Sequence, residues 1–173
     1  SICRFMVYDF PEEKQCSLSV GGHLDGCRIG FDAGGSDRKV SAVIDGKVVY
    51  SEEVVWFPKT NSDYHYHYDG IMAAMKTAAS KMPRVDAIGV SSAGVYVDNR
   101  IMVASLFLKV SDEDFDKKVK NMYIDVAREI GENIPIEVAN DGDVTALAGA
   151  MDLDDNNVLH VPKITADEIT VIK

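Results

Sequence analysis

The sequence predicts an α/β fold: a mixed β-sheet in which an antiparallel three-strand meander precedes strand–helix crossovers, with flanking helices. Three observations carry this. Ile29 and Phe31, then Val40, Ala42 and Ile44, alternate at the period of a strand. Asp45-Gly46 stands between the second of these segments and Val48-Val49, where it marks a hairpin. Beyond the meander, short apolar runs alternate with helix-spaced apolar positions, as crossover connections require. The element order reads β-β-β-α-β-α-β-α, which favours helices on both faces of the sheet.

Each element has a local cause. Residues 1–27 read as an N-terminal appendage or remnant. Within them, residues 4–10 have strand character that Pro11 ends, and residues 15–26 are Ser- and Gly-rich, as in a turn or loose hairpin. His23 reads as a surface residue. Residues 28–36 form a strand that runs into the turn Gly34-Gly35-Ser36. The third strand starts at Val48, and residues 54–57 extend it or continue it after a bulge. Residues 58–69 read as a loop whose end alternates Tyr64, Tyr66 and Tyr68 with His65 and His67. In a strand the two histidines would share a face, but two histidines without a third ligand do not make a zinc site.

A helix is expected from about Tyr68 to Lys81, with Ile71, Met75, Ala78 and Met82 on its apolar side and Pro83 as its stop. Residues 84–90 read as a buried strand. Ser91-Ser-Ala-Gly94 follows, either a backbone facing a ligand or a tight packing turn. Val95, Val97, Ile101 and Val103 suggest a small excursion turning at Asp98-Asn99. Ser111 and Asp114 have capping-box spacing, and the helix they open is expected to run to Ile130 and stop at Gly131. Residues 134–139 are the next strand, and Asn140-Asp-Gly142 leads into a helix over residues 143–151. Residues 152–157 break it, and residues 158–159 and 169–172 have strand character.

Composition narrows the function. The chain has 173 residues, 46% of them hydrophobic, enough for one solid core or one core with an appendage. Eighteen basic against twenty-eight acidic side chains leave a net charge of −10, which disfavours nucleic acid as a partner. Lys117, Lys118 and Lys120 lie among acids and read as a solvated helix face. No apolar run is long enough for a membrane span, and the first residues lack signal-peptide character. Cys3, Cys16 and Cys27 match neither a disulfide framework nor a metal knuckle, so reduced thiols and a cytoplasmic protein are expected.

Two carboxylates at strand ends carry the chemistry. Asp32 closes the first strand, and Asp141 follows the last one before the next helix. Open α/β sheets bind ligands at the carboxyl ends of their strands. Two acids delivered there suit a metal–phosphate position and a general base, as in phosphoryl transfer to a hydroxyl. Gly34 and Gly35 can turn successive backbone N–H groups toward phosphate, Ser36 adds a hydroxyl, and Arg38 or Lys39 can approach the same anion. Asp32 would hold Mg²⁺ directly or through water. The bland reading of this turn is an acid-containing β-turn. At the second site Asp141 is either the base or a helix cap, Asn140 can orient a substrate hydroxyl, and Asp143 reads as a cap.

Three motifs then resemble a known group. Ile29-Gly-Phe-Asp-Ala-Gly-Gly-Ser36, Asp86-Ala-Ile-Gly-Val-Ser-Ser-Ala-Gly94 and Val138-Ala-Asn-Asp-Gly-Asp-Val-Thr-Ala-Leu-Ala148 are similar to the N-terminal lobe of ROK sugar kinases. These are glucokinase-like members of the actin-like ATPase superfamily, with an RNase H-like fold. The resemblance covers residues 28–159 and leaves residues 160–173 as a tail. It implies ATP and Mg²⁺ as cofactors and a sugar as substrate. It also implies Asp32 as the acid of the first phosphate loop, Gly34 and Gly35 as its turn, Asn140 as a sugar ligand, Asp141 as the base and Gly94 on the cleft side.

The sequence departs from that group in several places. A Gly/Thr-rich second phosphate loop is expected after Leu159, but the chain reads His160-Val-Pro-Lys-Ile164. The group's cysteine-rich zinc motif is absent, so no zinc site is expected. A lone lobe should be inactive alone, and should self-associate or pair with a partner supplying the second lobe. The alternatives are a non-catalytic sugar- or nucleotide-binding module, or a structural or assembly domain.

Overall fold

The computed structural model describes residues 24–145. The expectations for residues 4–10, for His23, and for the helix, break and strands beyond residue 145 lie outside the described residues.

The meander forms where the alternation places it. Strands β1 (Cys27–Ala33), β2 (Asp37–Ile44) and β3 (Lys47–Val55) pair antiparallel in order. Asp45 and Gly46 both take positive φ, 48° and 76°, which gives the hairpin the twist its strands need. A bulge between Ala42 and Val43 shifts the β2–β3 register. Strands β4 (Ala87–Ser92) and β7 (Ile136–Asn140) extend the sheet in parallel with β1, giving the order β3-β2-β1-β4-β7. The result is the mixed α/β sheet with flanking helices that the sequence predicts.

One face of this sheet is packed. Ile29, Phe31, Val40, Ile88, Val90 and Val138 point into a core that is completed by Ile71, Met75 and Ala78 of helix α1 (Tyr64–Ala79) and by Met122 and Val126 of helix α3 (Met122–Ile130). Both helices therefore cover the same face. The opposite face carries small or polar residues: Gly30, Asp32, Ser41, Gly89 and Ser91. Among the described residues it is an open hollow; the helix expected over residues 143–151 lies mostly outside them, and Val144 at its start lines the hollow.

Helix α1 begins four residues before its expected start. Asp63 caps it, accepting the His65 N–H at 2.9 Å, so the Tyr/His run lies in the first helical turns. Its tyrosines and histidines have no strong helix preference, which is why the alternation reads as extended. In a helix, residues two apart face nearly opposite ways. His65 is exposed, whereas His67 is fully buried. The shared-face premise for the two histidines therefore fails.

The second helical stretch is interrupted. Helix α2 (Asp112–Asp114) is capped by Ser111 as expected, then passes through a π-helical turn, Phe115–Val119, before α3. The Lys120 carbonyl accepts from Ile101 N at 2.9 Å, so it is diverted to a strand. Gly131 ends α3 in extended backbone, and Asn133 instead takes the left-handed φ of 61°.

The small excursion is a two-stranded hairpin, β5 (Gly94–Val97) and β6 (Arg100–Ala104), turned by Asp98 and Asn99 at φ 50° and 64°. The Asn99 amide donates to Ile136 O at 3.0 Å and accepts from Val138 N at 2.8 Å. It thus satisfies the edge of β7 as a neighbouring strand would. No helix among the described residues is long and apolar enough to cross a membrane.

Candidate functional site

The carboxyl ends of β1, β4 and β7 meet along one edge. Asp32, next to last in β1, stands between Lys39 of β2 and Ser91 of β4. Asn140 ends β7 opposite Ser92, and Asp141 follows it. With β4 between them, β1 and β7 run roughly 10 Å apart, two strand spacings. The sheet therefore brings the Asp32 turn and the Asp141 turn to one edge. The hollow on the open face, about 540 Å³, reaches this edge and is lined by Asp32, Ser91, Ala139 and Val144.

The first turn is braced from outside. Trp56, 1% exposed, donates its indole N–H to Gly34 O at 2.8 Å, and its backbone N–H to Ser36 O at 3.0 Å. A side chain at Gly34 would lie 2.6 Å from Asp37 O, so the backbone itself requires glycine there. Ser36 Oγ donates to Asp37 Oδ2 at 3.0 Å. Of the two expected cations, Arg38 turns away and Lys39 stays beside the acids at the turn's edge. Arg38 packs its guanidinium 5.8 Å from the Trp56 ring, on the helical side. Lys39 lies 3.7 Å from Asp37 and 3.8 Å from Glu53. A cation against Gly35 itself is Lys59, which carries no sequence motif.

The second turn is braced from within. Asn140 Nδ2 donates to Gly94 O at 2.9 Å, and its Oδ1 accepts from Gly142 N at 2.9 Å. Asn140 is therefore the cap of the helix at residues 141–145, and Asp141 and Asp143 sit in its first turn. Carboxylates are favoured there by the helix dipole. Asp141 is exposed, and its Oδ1 also accepts from Gly142 N at 3.0 Å. A side chain at Gly94 would lie 2.6 Å from Val103 O and 2.9 Å from the Tyr96 hydroxyl, so Gly94 lets β5 pass close to β6.

Between the turns lies a buried, uncharged floor. Ser92 is fully buried and donates to Ala33 O at 3.3 Å. The rings of Tyr96 and Tyr123 are 6.5 Å apart, and neither hydroxyl has a hydrogen-bond partner among the described residues. Burial pushes Tyr96 up to about 12; the Ser92 hydroxyl opposes this and the Asp141 charge adds to it. Burial raises Tyr123 further, with smaller contributions from Tyr96 and Asp32. Both phenols stay neutral, so the floor adds no negative charge beside the two carboxylates. Nothing in the sequence pattern marks either as part of a site.

Among the described residues, no group of three or more His, Cys, Asp or Glu gathers around a common point. Asp32 and Asp37 are the acids placed on either side of the glycine turn.

No protein-family model matches the chain, and no curated protein matches it. Solved structures do. A sugar-kinase candidate from Cytophaga hutchinsonii superposes with a TM-score of 0.54 at 17% identity over 70% of this chain and 38% of that one. The ROK hexokinase of Thermus thermophilus gives 0.51 at 17% identity, over 70% and 37%. The glucokinase of Parabacteroides distasonis gives 0.50 at 19% identity, over 73% and 34%. The chain thus shares a fold with ROK-type kinases, and it spans less than two fifths of each of these structures. Their activities are properties of those proteins.

Proposed function

We propose that these residues form the acceptor and first phosphate side of an ATP-dependent sugar kinase of the ROK type. The supporting observation is the delivery of Asp32 and Asp141 to one sheet edge, with the small residues of β4 between them. Because the chain covers only part of the kinases it superposes on, the activity proposed is that of the whole protein.

The roles follow from the atoms. Asp141 Oδ1 is engaged by the Gly142 amide, and Oδ2 is the oxygen that takes the proton from a sugar hydroxyl. One Asn140 amide hydrogen is committed to Gly94 O; the second is the donor for a neighbouring sugar hydroxyl. Gly94 anchors that orientation through its carbonyl. Asp32, Gly34, Gly35 and Ser36 face the phosphates. A carboxylate beside a backbone turn, with Asp37 close by, suits Mg²⁺, which takes one or two carboxylates and completes its shell with water and phosphate oxygens. Bound there, Mg²⁺ would supply charge neutralisation for the ATP phosphates.

A coupled assay of ADP release across a panel of sugars tests this. Sugar-dependent turnover by the natural reading frame that contains these residues is the expected result. Saturable sugar binding without turnover would overturn it and assign a binding module instead.

A further inference from the structure

Lys59 occupies the 3-10 turn Pro58–Thr60 that connects β3 to α1. A Cβ built on Gly35 would fall 2.7 Å from Lys59 Cε and 2.8 Å from Lys59 Nζ. The ammonium therefore lies against the backbone of the first turn. None of the ion pairs among the described residues includes it. Asp37 and Glu53 flank Lys39.

The backbone position of Lys59 is set by the fold, while its side chain is exposed. Pro58 is buried and sets its own φ. Thr60 Oγ1 donates to Phe57 O at 3.2 Å, and Asn61 N donates to Pro58 O at 3.2 Å. His67, fully buried in α1, holds Nε2 3.0 Å from Pro58 O and 3.1 Å from Leu106 O. Trp56, three residues before Lys59, clasps Gly34 and Ser36. One scaffold thus sets both the glycine turn and the lysine over it.

The chemistry of that pair is anionic. Successive small residues let the backbone come close to an anion, and an ammonium adds a point charge. The need for such a cation is local. A phosphate approaching Asp32 and Asp37 on a chain of net charge −10 meets Lys39, already 3.7 Å from Asp37, and a second positive group beside the turn lowers the remaining repulsion. We propose that Lys59 and the Gly34-Gly35-Ser36 turn form a seat for a phosphate chain, in which Lys59 is the positioning cation. This deepens the reading of the first turn given above and rests on it.

Titration calorimetry of the 173-residue chain with pyrophosphate and Mg²⁺ at low salt tests the seat. The wild type is expected to bind saturably. Lys59→Gln should weaken binding about tenfold, the weight of one hydrogen bond to a charged group. It should also flatten the salt dependence. Lys59→Arg should keep most of the affinity. Gly35→Ala should mimic the loss, because its methyl group displaces the ammonium without positive-φ strain. Lys47→Gln, at the exposed β2–β3 turn, should change nothing. A parallel titration with ATP identifies the source of the phosphate: a loss common to both assigns the phosphate chain itself, and a loss confined to one ligand names that ligand. Absence of pyrophosphate and ATP binding by the wild type, or equal affinity for Lys59→Gln, overturns the proposal. Lys59-dependent binding with no sugar turnover by the natural reading frame that contains these residues leaves the seat standing and removes the kinase reading. Sugar turnover indifferent to Lys59→Gln does the reverse.

Discussion

The two turns at the sheet edge are built in opposite ways. The Gly34–Ser36 turn is held by residues far along the chain: Trp56 clasps its carbonyls and Lys59 lies over Gly35. The Asn140–Gly142 turn is held by its own asparagine, which caps the next helix and ties back to Gly94. The first arrangement makes a stiff backbone cradle with an imported charge, suited to holding an anion. The second leaves an exposed acid on a helical first turn, suited to moving a proton. The two turns lie two strand spacings apart, which would keep the proposed phosphate seat separate from the proposed base.

The difference can be broken one turn at a time. Trp56→Ala should lower the unfolding free energy by about 3–5 kcal/mol, since it removes a fully buried aromatic ring from the core. It should also loosen the first turn while sparing the second. Urea denaturation reads the stability loss, and amide exchange at Gly35 and Gly142 reads the selectivity. Equal acceleration at both amides would show that the turns are not independently braced.

Asn140→Ala is the converse and should be smaller, about 1–2 kcal/mol for a partly buried side chain whose two partners lose their bonds. Exchange at Gly142 should quicken and exchange at Gly35 should not. An unchanged Gly142 amide would show that Asn140 is not the brace.

Asp86 supplies the contrast of a structural acid at the other end of the same strands. The Arg84 guanidinium and the Cys27 N–H, at 2.7 and 2.8 Å, hold its carboxyl below the usual range. A lowered folded-state pKa means that its stabilisation is full above the unfolded value, roughly 3.9, and is lost as pH falls through the folded value. The stability gap between wild type and Asp86→Asn should therefore be flat above about pH 5 and should close below about pH 4. A gap that widens in acid would contradict the assignment.

What was legible in the sequence was what local chemistry decides. Asp45-Gly46 and Asp98-Asn99 adopt the positive φ that their hairpins require, and Ser111 caps where its spacing places it. Asp32, Asn140 and Asp141 reach one edge because strand ends are readable from alternation. The start of α1 was obscured because Tyr and His suit strands as well as helices, and only the Asp63 cap decides between them. Lys59 and Trp56 were beyond reach for another reason. Their contacts with the first turn span more than twenty residues and depend on how the β3–α1 connection wraps back. Arg38, nearer in sequence, is carried to the other face by the same two-residue period that places Val40 in the core.

The central claim is that Asp141 acts as a base on a sugar held at this edge. Its most direct test is the steady-state rate of sugar phosphorylation by Asp141→Asn in the natural reading frame containing these residues. The account predicts kcat lower by about 10²–10⁴-fold, with sugar binding and thermal unfolding retained. Equal kcat in mutant and wild type, with binding intact, would contradict it.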